Sequence, residues 1–333
     1  MNILVTGAAG FIGSNFARYW RREHATDGVI GLDALTYAGV RENLEGTEVE
    51  LVVGDICDAA LVERVLAERR IELIVNFAAE SHNSWAVLDP GRFFRTNVLG
   101  TQTLLEAARK AGGVRFHHVS TCEVYGDLAL DDPRAFSESA PYRPRTPYSA
   151  SKAAADHAVR AYGATFGSPV TITNCANNYG PYQFPEKIIP LFVTNALEGR
   201  PLPLYAATAN RREWIHVDDH CAAIARVIDA GTLGETYNVG TGVEASIEQI
   251  ADLVLDELAR PASLKTIVSD RPGHDRRYLL DSTKIRRDLQ WLPRIAVADG
   301  IRETVGWYAE HREWWAPLRE RAAVAEDAWR PRA

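Results

Sequence analysis

Residues 7–13 read Gly7-Ala8-Ala9-Gly10-Phe11-Ile12-Gly13 and follow an apolar run, Ile3–Val5, that predicts a β-strand. Glycines at this spacing allow a tight turn and let a pyrophosphate approach the backbone, while a helix that begins here offers free N–H groups. Asp33 ends the next predicted strand, 20 residues past Gly13, where an acid accepts the adenosine ribose hydroxyls. The pattern predicts a dinucleotide site and, because a carboxylate repels a 2′-phosphate, NAD rather than NADP.

Apolar runs rich in Val, Ile and Phe recur through the first two thirds of the chain. They cover Ile3–Val5, Val29–Leu32, Glu50–Val53, Leu73–Ala78, Arg115–Ser120 and Val170–Asn174. Amphipathic stretches such as Leu61–Arg69 and Thr101–Ala111 lie between them. This alternation indicates βαβ units, and the continuous apolar strands indicate a parallel sheet covered on both faces. The expected fold is α/β, a doubly wound parallel sheet of the Rossmann type.

The texture changes after Pro181, where prolines interrupt residues 181–216. Later segments, Ser246–Leu258 and Ser282–Leu289, have helical patterns but do not continue the strand–helix rhythm. We expect residues 1–180 to form the dinucleotide-binding domain and residues 181–333 mainly a smaller substrate lobe, interleaved with the sheet. Residues 311–333 predict a terminal helix.

The composition is that of an ordinary globular protein. Of 333 residues, 46% are hydrophobic and 24% charged, with a net charge of −7. This excludes a disordered chain and gives no electrostatic reason to bind nucleic acid or an anionic membrane. No apolar run approaches the ~18 residues that cross a bilayer, and no signal peptide is predicted. The four cysteines show no metal-binding spacing, so we expect no metal site and a reducing, cytoplasmic environment.

A second motif is Tyr148-Ser149-Ala150-Ser151-Lys152. Residues four apart share one face of a helix, and the Lys152 ammonium can lower the pKa of the Tyr148 phenol, which can then take a hydroxyl proton during hydride transfer. Ser120 and Thr121 end a predicted strand at the carboxyl edge of the sheet, where ligands of such sheets bind. These residues predict a catalytic centre.

Together the two motifs resemble the extended short-chain dehydrogenase/reductase superfamily. Four longer runs look like the dTDP-glucose 4,6-dehydratases: Asp33–Gly39, Ala78–His82, Asn174–Lys187 and Asp270–Tyr278. The resemblance covers nearly the whole chain. It implies a lyase of deoxysugar and antibiotic biosynthesis that keeps NAD bound, oxidises a dTDP-hexose at C4, eliminates water across C5–C6 and returns the hydride to C6.

The resemblance also implies residue roles. Tyr148 would be the base for the C4 hydroxyl, Lys152 would tune it and hold the nicotinamide ribose, and Thr121 would hydrogen-bond the C4 oxygen. Glu123 would remove the C5 proton that the C4 ketone acidifies.

Cys122 departs from this pattern, since the family has an Asp there that protonates the leaving C6 hydroxyl. A thiol is protonated at neutral pH but is a weak donor. One expectation is that Glu123 performs both proton transfers beside an inert Cys122. Alternatively Cys122 marks a changed reaction, as in a UDP-glucuronate decarboxylase, a 5,6-dehydratase or an epimerase. A non-catalytic sensor of NAD and a nucleotide sugar is a more remote alternative.

A second departure follows His82, where the family has Val-Asp-Arg-Ser and this chain has Asn83-Ser84-Trp85-Ala86. The change either repacks the sugar pocket or alters only its surroundings.

The remaining expected contacts follow the resemblance. The cofactor residues are Gly7, Gly10, Phe11, Ile12, Gly13, Asp33, Thr36, Asp55, Ile56, Ala78, Ala79, Tyr148 and Lys152. The substrate residues are Ser81, His82, Asn177, Lys187, Leu191, Pro203, Tyr205, Arg212, Asn238, Arg271 and His274. An N-cap is the alternative role for Asp55, and His117 and His118 are expected to be structural. A homodimer is expected, with Thr101–Ala111 and Ala150–Thr165 as candidate interface helices.

Overall fold

The computed structural model describes residues 1–270 and 273–322. Its strands are β1 (Asn2–Thr6), β2 (Gly28–Asp33), β3 (Glu50–Val53), β4 (Leu73–Asn76), β5 (Arg115–Thr121), β6 (Val170–Cys175), β7 (Asn177–Tyr179), β8 (Leu202–Tyr205), β9 (Arg211–His216), β10 (Thr236–Val239), β11 (Glu244–Ser246) and β12 (Lys265–Val268). Its α-helices are α1 (Phe11–Glu23), α2 (Ala59–Glu68), α3 (Asn83–Leu88), α4 (Pro90–Phe94), α5 (Thr101–Lys110), α6 (Pro147–Phe166), α7 (Ile188–Leu197), α8 (Val217–Ala230), α9 (Ile247–Glu257), α10 (Thr283–Leu289), α11 (Val297–Glu310) and α12 (Arg312–Ala322).

The main sheet has seven strands in the order β10-β6-β5-β4-β1-β2-β3. Every neighbouring pair in it is parallel. Alternate residues of β1 show why it is buried on both sides: Ile3 and Val5 pack with α1 and α8, whereas Leu4 packs with α2 and α5. The prediction of a doubly wound parallel sheet is confirmed.

The strand order reverses between β1 and β4, which opens a cleft at their carboxyl ends. Ligands of doubly wound sheets bind at such a switch point. The turn after β1 and the segment after β4 therefore face each other where the cofactor residues were predicted.

A smaller lobe covers the carboxyl edge of this sheet. It contains the sheet β11-β9-β7 and the pair β12-β8, which pack with α7, α9 and α11 around buried Phe192, Ile250 and Tyr308. The predicted boundary at residue 180 stays a prediction, and each side of it supplies a strand to the other: β10 extends the main sheet and β7 joins the small one.

Helix α12 lies within the predicted terminal helix, of which residues 323–333 fall outside the described part. Leu318 packs against Val40 and Phe184, and the Arg321 guanidinium donates to the carbonyl of Tyr37 at 2.9 Å. The last described helix thus supports the loop that follows β2.

Candidate active site

The glycine turn touches the segment after β4. Gly7 has a φ of 65°, and a Cβ on it would lie 2.8 Å from the amide nitrogen of Ala78. A Cβ on Gly13 would lie 2.2 Å from the carbonyl oxygen of Gly7. Side chains at these positions would collide with the backbone, so the turn needs glycine for its own shape. It leads into the N-terminus of α1, where backbone N–H groups can bind a phosphate.

Asp33 ends β2 and is buried beside this turn. Its carboxylate accepts backbone N–H bonds from Ala9 at 2.9 Å and from Leu35 at 2.8 Å. Burial raises the pKa of Asp33, and the two N–H donors oppose that rise. The structure therefore holds a buried acid beside the glycine turn.

All thirteen predicted cofactor residues line one continuous cleft. Asp55 is not an N-cap, because Asp58 caps α2 by accepting from the Leu61 amide. The Asp55 carboxylate instead accepts from the Cys57 amide at 2.8 Å.

Helix α6 brings Tyr148 and Lys152 to the same cleft. Thr146 caps the helix, Pro147 follows in its first turn, and Gly167 ends it with a left-handed φ of 64°. These are ordinary start and stop signals, and they fix the helix so that both side chains point to the carboxyl edge of the sheet.

The phenol of Tyr148 faces the side chain of Thr121 at the end of β5. Burial and the negative charge of Glu123 raise the pKa of Tyr148 well above its usual value, and the Thr121 side chain opposes this. The lowering of the Tyr148 pKa that was expected from Lys152 does not prevail. Lys152 Nζ donates to the carbonyl of Val119 at 2.7 Å and contacts His118 at 3.3 Å. Burial lowers the pKa of Lys152 to about 8.

The Glu123 carboxylate lies in the short 3₁₀ turn Cys122–Tyr125 after β5. Its Oε2 accepts from the side-chain amide of Asn83 at 3.2 Å. Cys122 is 2% exposed and packs in an apolar cluster with Val124 and Tyr125. Burial and the charge of Glu123 raise the pKa of the Cys122 thiol well above its usual value, so the thiol stays protonated.

Seven of the predicted substrate residues also line the cleft. They are Ser81, His82, Asn177, Lys187, Tyr205, Arg212 and His274. Lys187 Nζ donates to the carbonyl of Ser81 at 2.9 Å, and the rings of Tyr205 and His274 meet edge to face at 5.0 Å. The Arg212 guanidinium lies over the ring of Tyr278, 4.6 Å from its centre.

Leu191, Pro203 and Asn238 lie outside the cleft lining. Both donors of the Asn238 amide are used, on the carbonyls of Phe136 at 2.8 Å and Asp281 at 3.3 Å, and its oxygen accepts from Tyr125. The predicted contact of Asn238 with a nucleotide therefore has no support in this geometry, since the side chain ties the sheet edge to the lobe. Arg271 lies outside the described residues.

The residues of the second departure from the family pattern, Asn83–Ala86, do not all lie in the cleft. Asn83 and Ser84 line the cleft, whereas Trp85 does not. The bulky indole thus does not reshape the pocket directly, and the change that reaches the reacting groups is the amide of Asn83.

Sequence reasoning missed one residue of the cleft lining, Glu186, and one buried residue that supports the cleft, Asn97. Glu186 accepts from the phenol of Tyr37 at 2.9 Å. Asn97 is buried and holds the segment after β4 to α6, accepting from the Glu80 amide at 2.8 Å and donating to Ser151 at 2.8 Å. Glu186 lies inside the family-like run Asn174–Lys187, which was its only signal in the sequence. No sequence signal marked Asn97.

Within residues 1–270 and 273–322, no group of three or more His, Cys, Asp or Glu side chains could hold a metal. His117 bonds Thr171 at 2.9 Å and Thr173 at 3.1 Å, and burial lowers its pKa to about 3. It is a neutral, satisfied core side chain. In the same described part, no helix is both long and apolar enough to span a bilayer.

The glycine turn, the acid after β2 and the Tyr–Lys pair at the carboxyl edge define an extended short-chain dehydrogenase/reductase. More narrowly, the chain belongs to the GDP-mannose 4,6 dehydratase family, whose model matches residues 4–304.

Individual relatives show more specifically which proteins the chain is similar to. The chain is 49% identical to dTDP-glucose 4,6-dehydratase of Mycobacterium tuberculosis (strain H37Rv) over 323 residues, 96% of this chain and 97% of the relative. The crystal structure of DesIV, a dTDP-glucose 4,6-dehydratase from Streptomyces venezuelae with NAD and TYD bound, is 50% identical, with a TM-score of 0.92 over 96% of this chain and 100% of that one. UDP-glucose 4-epimerase from Thermotoga maritima is 28% identical with a TM-score of 0.87, covering 93% and 99%.

Proposed function

We propose that this chain is an NAD-dependent nucleotide-sugar 4,6-dehydratase that converts dTDP-glucose to the 4-keto-6-deoxy sugar. The reaction oxidises C4, eliminates water across C5–C6 and returns the hydride to C6. The observation that carries this proposal is one cleft with the cofactor cradle at one end and Tyr148, Thr121 and Glu123 together at the other. The dTDP-glucose 4,6-dehydratases at 49–50% identity over nearly all of the chain support it.

The cleft fits NAD. The tight Gly7–Gly13 turn, which side chains at Gly7 and Gly13 would distort, presents the N-terminus of α1 to a pyrophosphate. Asp33 places a carboxylate where the 2′-phosphate of NADP would be repelled. When bound, NAD⁺ supplies the acceptor for the C4 hydride and its reduced form the donor to C6.

Tyr148 takes the proton of the C4 hydroxyl. Thr121, whose side chain faces the phenol, can hold the same C4 oxygen and so align it with Tyr148. Lys152 is buried and its pKa is about 8, so at neutral pH it mostly carries a positive charge one helical turn from Tyr148. It also stands where a nicotinamide ribose would lie.

Glu123 performs both proton transfers of the elimination. Its carboxylate takes the C5 proton, whose electron pair forms the C5–C6 double bond, and the resulting carboxylic acid gives that proton to the C6 hydroxyl, which leaves as water. Cys122 is a small packed side chain in this account, because its buried thiol is a weak donor with a raised pKa. This interpretation keeps the dehydratase reaction despite the missing aspartate.

The nucleotide end is formed by Lys187, Arg212, Tyr205 and His274. Arginine binds phosphate oxygens bidentately. Arg212 uses both Nη1 hydrogens and one Nη2 hydrogen on backbone carbonyls, so its Nε–H and second Nη2–H are the donors that we assign to the diphosphate. The adjoining aromatic rings offer faces for the base.

We further propose a homodimer. Leu99, Phe94 and Phe166 are 59%, 42% and 54% exposed and lie on or beside α5 and α6, which are joined by the Tyr162–Glu106 hydrogen bond at 3.3 Å. Apolar side chains so exposed at the end of α4, just before α5 and at the end of α6 favour a partner surface. Leu99→Glu should convert a dimeric elution volume to a monomeric one in light-scattering chromatography, and a wild-type monomer would contradict the proposal.

A cytoplasmic location is proposed because Cys57, Cys122, Cys175 and Cys221 are all free thiols, as expected in a reducing compartment.

Mass spectrometry of the purified enzyme tests the function. We expect dTDP-glucose to lose one water and the product to take up deuterium from borodeuteride at a C4 ketone. Parallel incubations with UDP-glucose, UDP-GlcNAc and UDP-glucuronate are the comparison. No reaction of dTDP-glucose, with loss of carbon dioxide from UDP-glucuronate or of water from UDP-GlcNAc, would overturn the proposal.

A further inference from the structure

Asn83 bridges two parts of the reacting end. Its side-chain Nδ2 donates to Glu123 Oε2 at 3.2 Å, and its Oδ1 accepts from the Thr146 hydroxyl at 3.1 Å. Thr146 also accepts from the Ser149 amide as the N-cap of α6, the helix that carries Tyr148. One amide therefore connects the Glu123 carboxylate to the start of that helix.

The direction of each bond is settled by chemistry. An ionised carboxylate only accepts, so the amide nitrogen of Asn83 must face Glu123. The Thr146 hydroxyl accepts from Ser149 and keeps its own hydrogen for Asn83 Oδ1. Each atom of the Asn83 amide thus has a partner suited to it.

We propose that Asn83 is a positioning residue for Glu123, holding the carboxylate ionised and in register with Tyr148 for removal of the C5 proton. This inference rests on the proposed dehydratase function, because the C5 proton is abstracted only after C4 has been oxidised.

Two physical effects follow from the donor. A hydrogen bond to the charged form of a carboxylate favours ionisation, so Asn83 keeps Glu123 ready as a base. It also restricts a side chain with three rotatable bonds, and displacement of a catalytic group by about 1 Å can cost roughly 100-fold in rate. Neighbouring Cys122 is packed among apolar side chains and offers only a weak thiol donor.

A purely structural role for Asn83, tying α3 to α6, makes a different prediction. The tie consists of the Thr146–Asn83 Oδ1 bond, which Asn83→Asp retains. The same substitution replaces the donor facing Glu123 with a second carboxylate. Asn83→Asp therefore removes the positioning contact and keeps the tie, whereas Asn83→Ala removes both.

The experiment is rapid mixing of the NAD-loaded wild type, Asn83→Asp and Asn83→Ala with dTDP-glucose. The near-ultraviolet absorbance of the reduced nicotinamide follows C4 oxidation, and mass spectrometry of quenched samples follows loss of water. In both variants we expect the absorbance to appear within about threefold of the wild-type rate and loss of water to slow roughly 10- to 100-fold. In Asn83→Asp the acidic limb of the pH–kcat profile should also move to higher pH, since a like charge raises the pKa of Glu123.

The proposal is overturned if Asn83→Asp behaves as the wild type, or if both variants slow C4 oxidation as much as loss of water. The thermal midpoint and the NAD content of each variant identify a folding defect. If the wild type itself removes no water from dTDP-glucose, the proposed function fails, which is a separate result from any effect of Asn83.

Discussion

The cofactor end and the reacting end of the cleft differ in what they are made of. At the cofactor end the backbone forms most of the site, through the Gly7–Gly13 turn, the N-terminus of α1 and the amides that bind Asp33. At the reacting end, side chains from three separate elements meet, namely Glu123 after β5, Asn83 in α3 and Tyr148 in α6. A backbone cradle is encoded locally, whereas a side-chain constellation exists only once distant segments have packed.

The largest expected effect is at the cofactor end. Gly13→Ala places a Cβ 2.2 Å from the Gly7 carbonyl oxygen, so the turn must shift and the phosphate cradle is lost. We expect purified Gly13→Ala to carry no NAD and to be less stable by roughly 1–3 kcal/mol, the usual cost of overpacking. Cofactor content and thermal unfolding measure this.

Gly306→Ala is the matched control, because Gly306 lies in α11 with nothing within 4 Å of the added Cβ. It should retain NAD and be no less stable than the wild type. Equal cofactor content in both variants would contradict the assignment of the turn to phosphate binding.

The effect of Tyr148→Phe should be the next largest and should be confined to the reacting end. Removing the phenol removes the acceptor for the C4 hydroxyl proton, which typically contributes 10²–10⁴-fold in rate. NAD content should stay at the wild-type level, while rapid mixing with dTDP-glucose should show no fast formation of reduced nicotinamide. If reduced nicotinamide formed in Tyr148→Phe at the wild-type rate, Tyr148 would not be the base for the C4 hydroxyl.

Asp33→Ser sharpens the comparison from the cofactor side. Loss of the carboxylate should weaken NAD about tenfold, which is ~1.4 kcal/mol, and should improve the affinity for NADP. Titration of cofactor-stripped protein with both dinucleotides measures this. Unchanged preference for NAD over NADP would show that Asp33 only holds the Ala9 and Leu35 amides.

Cys122→Ala should have the smallest effect on rate. If Glu123 transfers both protons, kcat should fall no more than about threefold, with a stability loss near 1 kcal/mol for the trimmed buried side chain. Steady-state assays and thermal unfolding give the two values. A fall of 100-fold or more in kcat with unchanged stability would instead make the thiol the acid for the C6 hydroxyl.

Sequence reasoning reached the sheet, its helices and the cofactor cradle because each depends on short-range patterns. Apolar runs mark β1 to β6, and the glycines with Asp33 mark the turn. The Tyr148–Lys152 pair was also readable, because four residues make one helical face.

The remaining site contacts could not be read in this way. Glu186 and Tyr37 bond across 149 positions, and Asn83 and Glu123 across 40. Asn238 is a related case, since its family position predicts a ligand contact while its side-chain amide hydrogen-bonds within the fold, and that contact stays a prediction. Likewise Trp85 was as visible in the sequence as Asn83. Only the packing of helix α3 beside the cleft places Asn83 in the cleft lining and Trp85 outside it.

Glu123→Gln, mixed rapidly with dTDP-glucose, tests most directly whether one carboxylate carries the elimination. The amide keeps the size of the side chain but can neither take the C5 proton nor return it. We predict that reduced nicotinamide forms and persists while mass spectrometry shows no loss of water from the sugar. Dehydrated product at the wild-type rate would contradict the account.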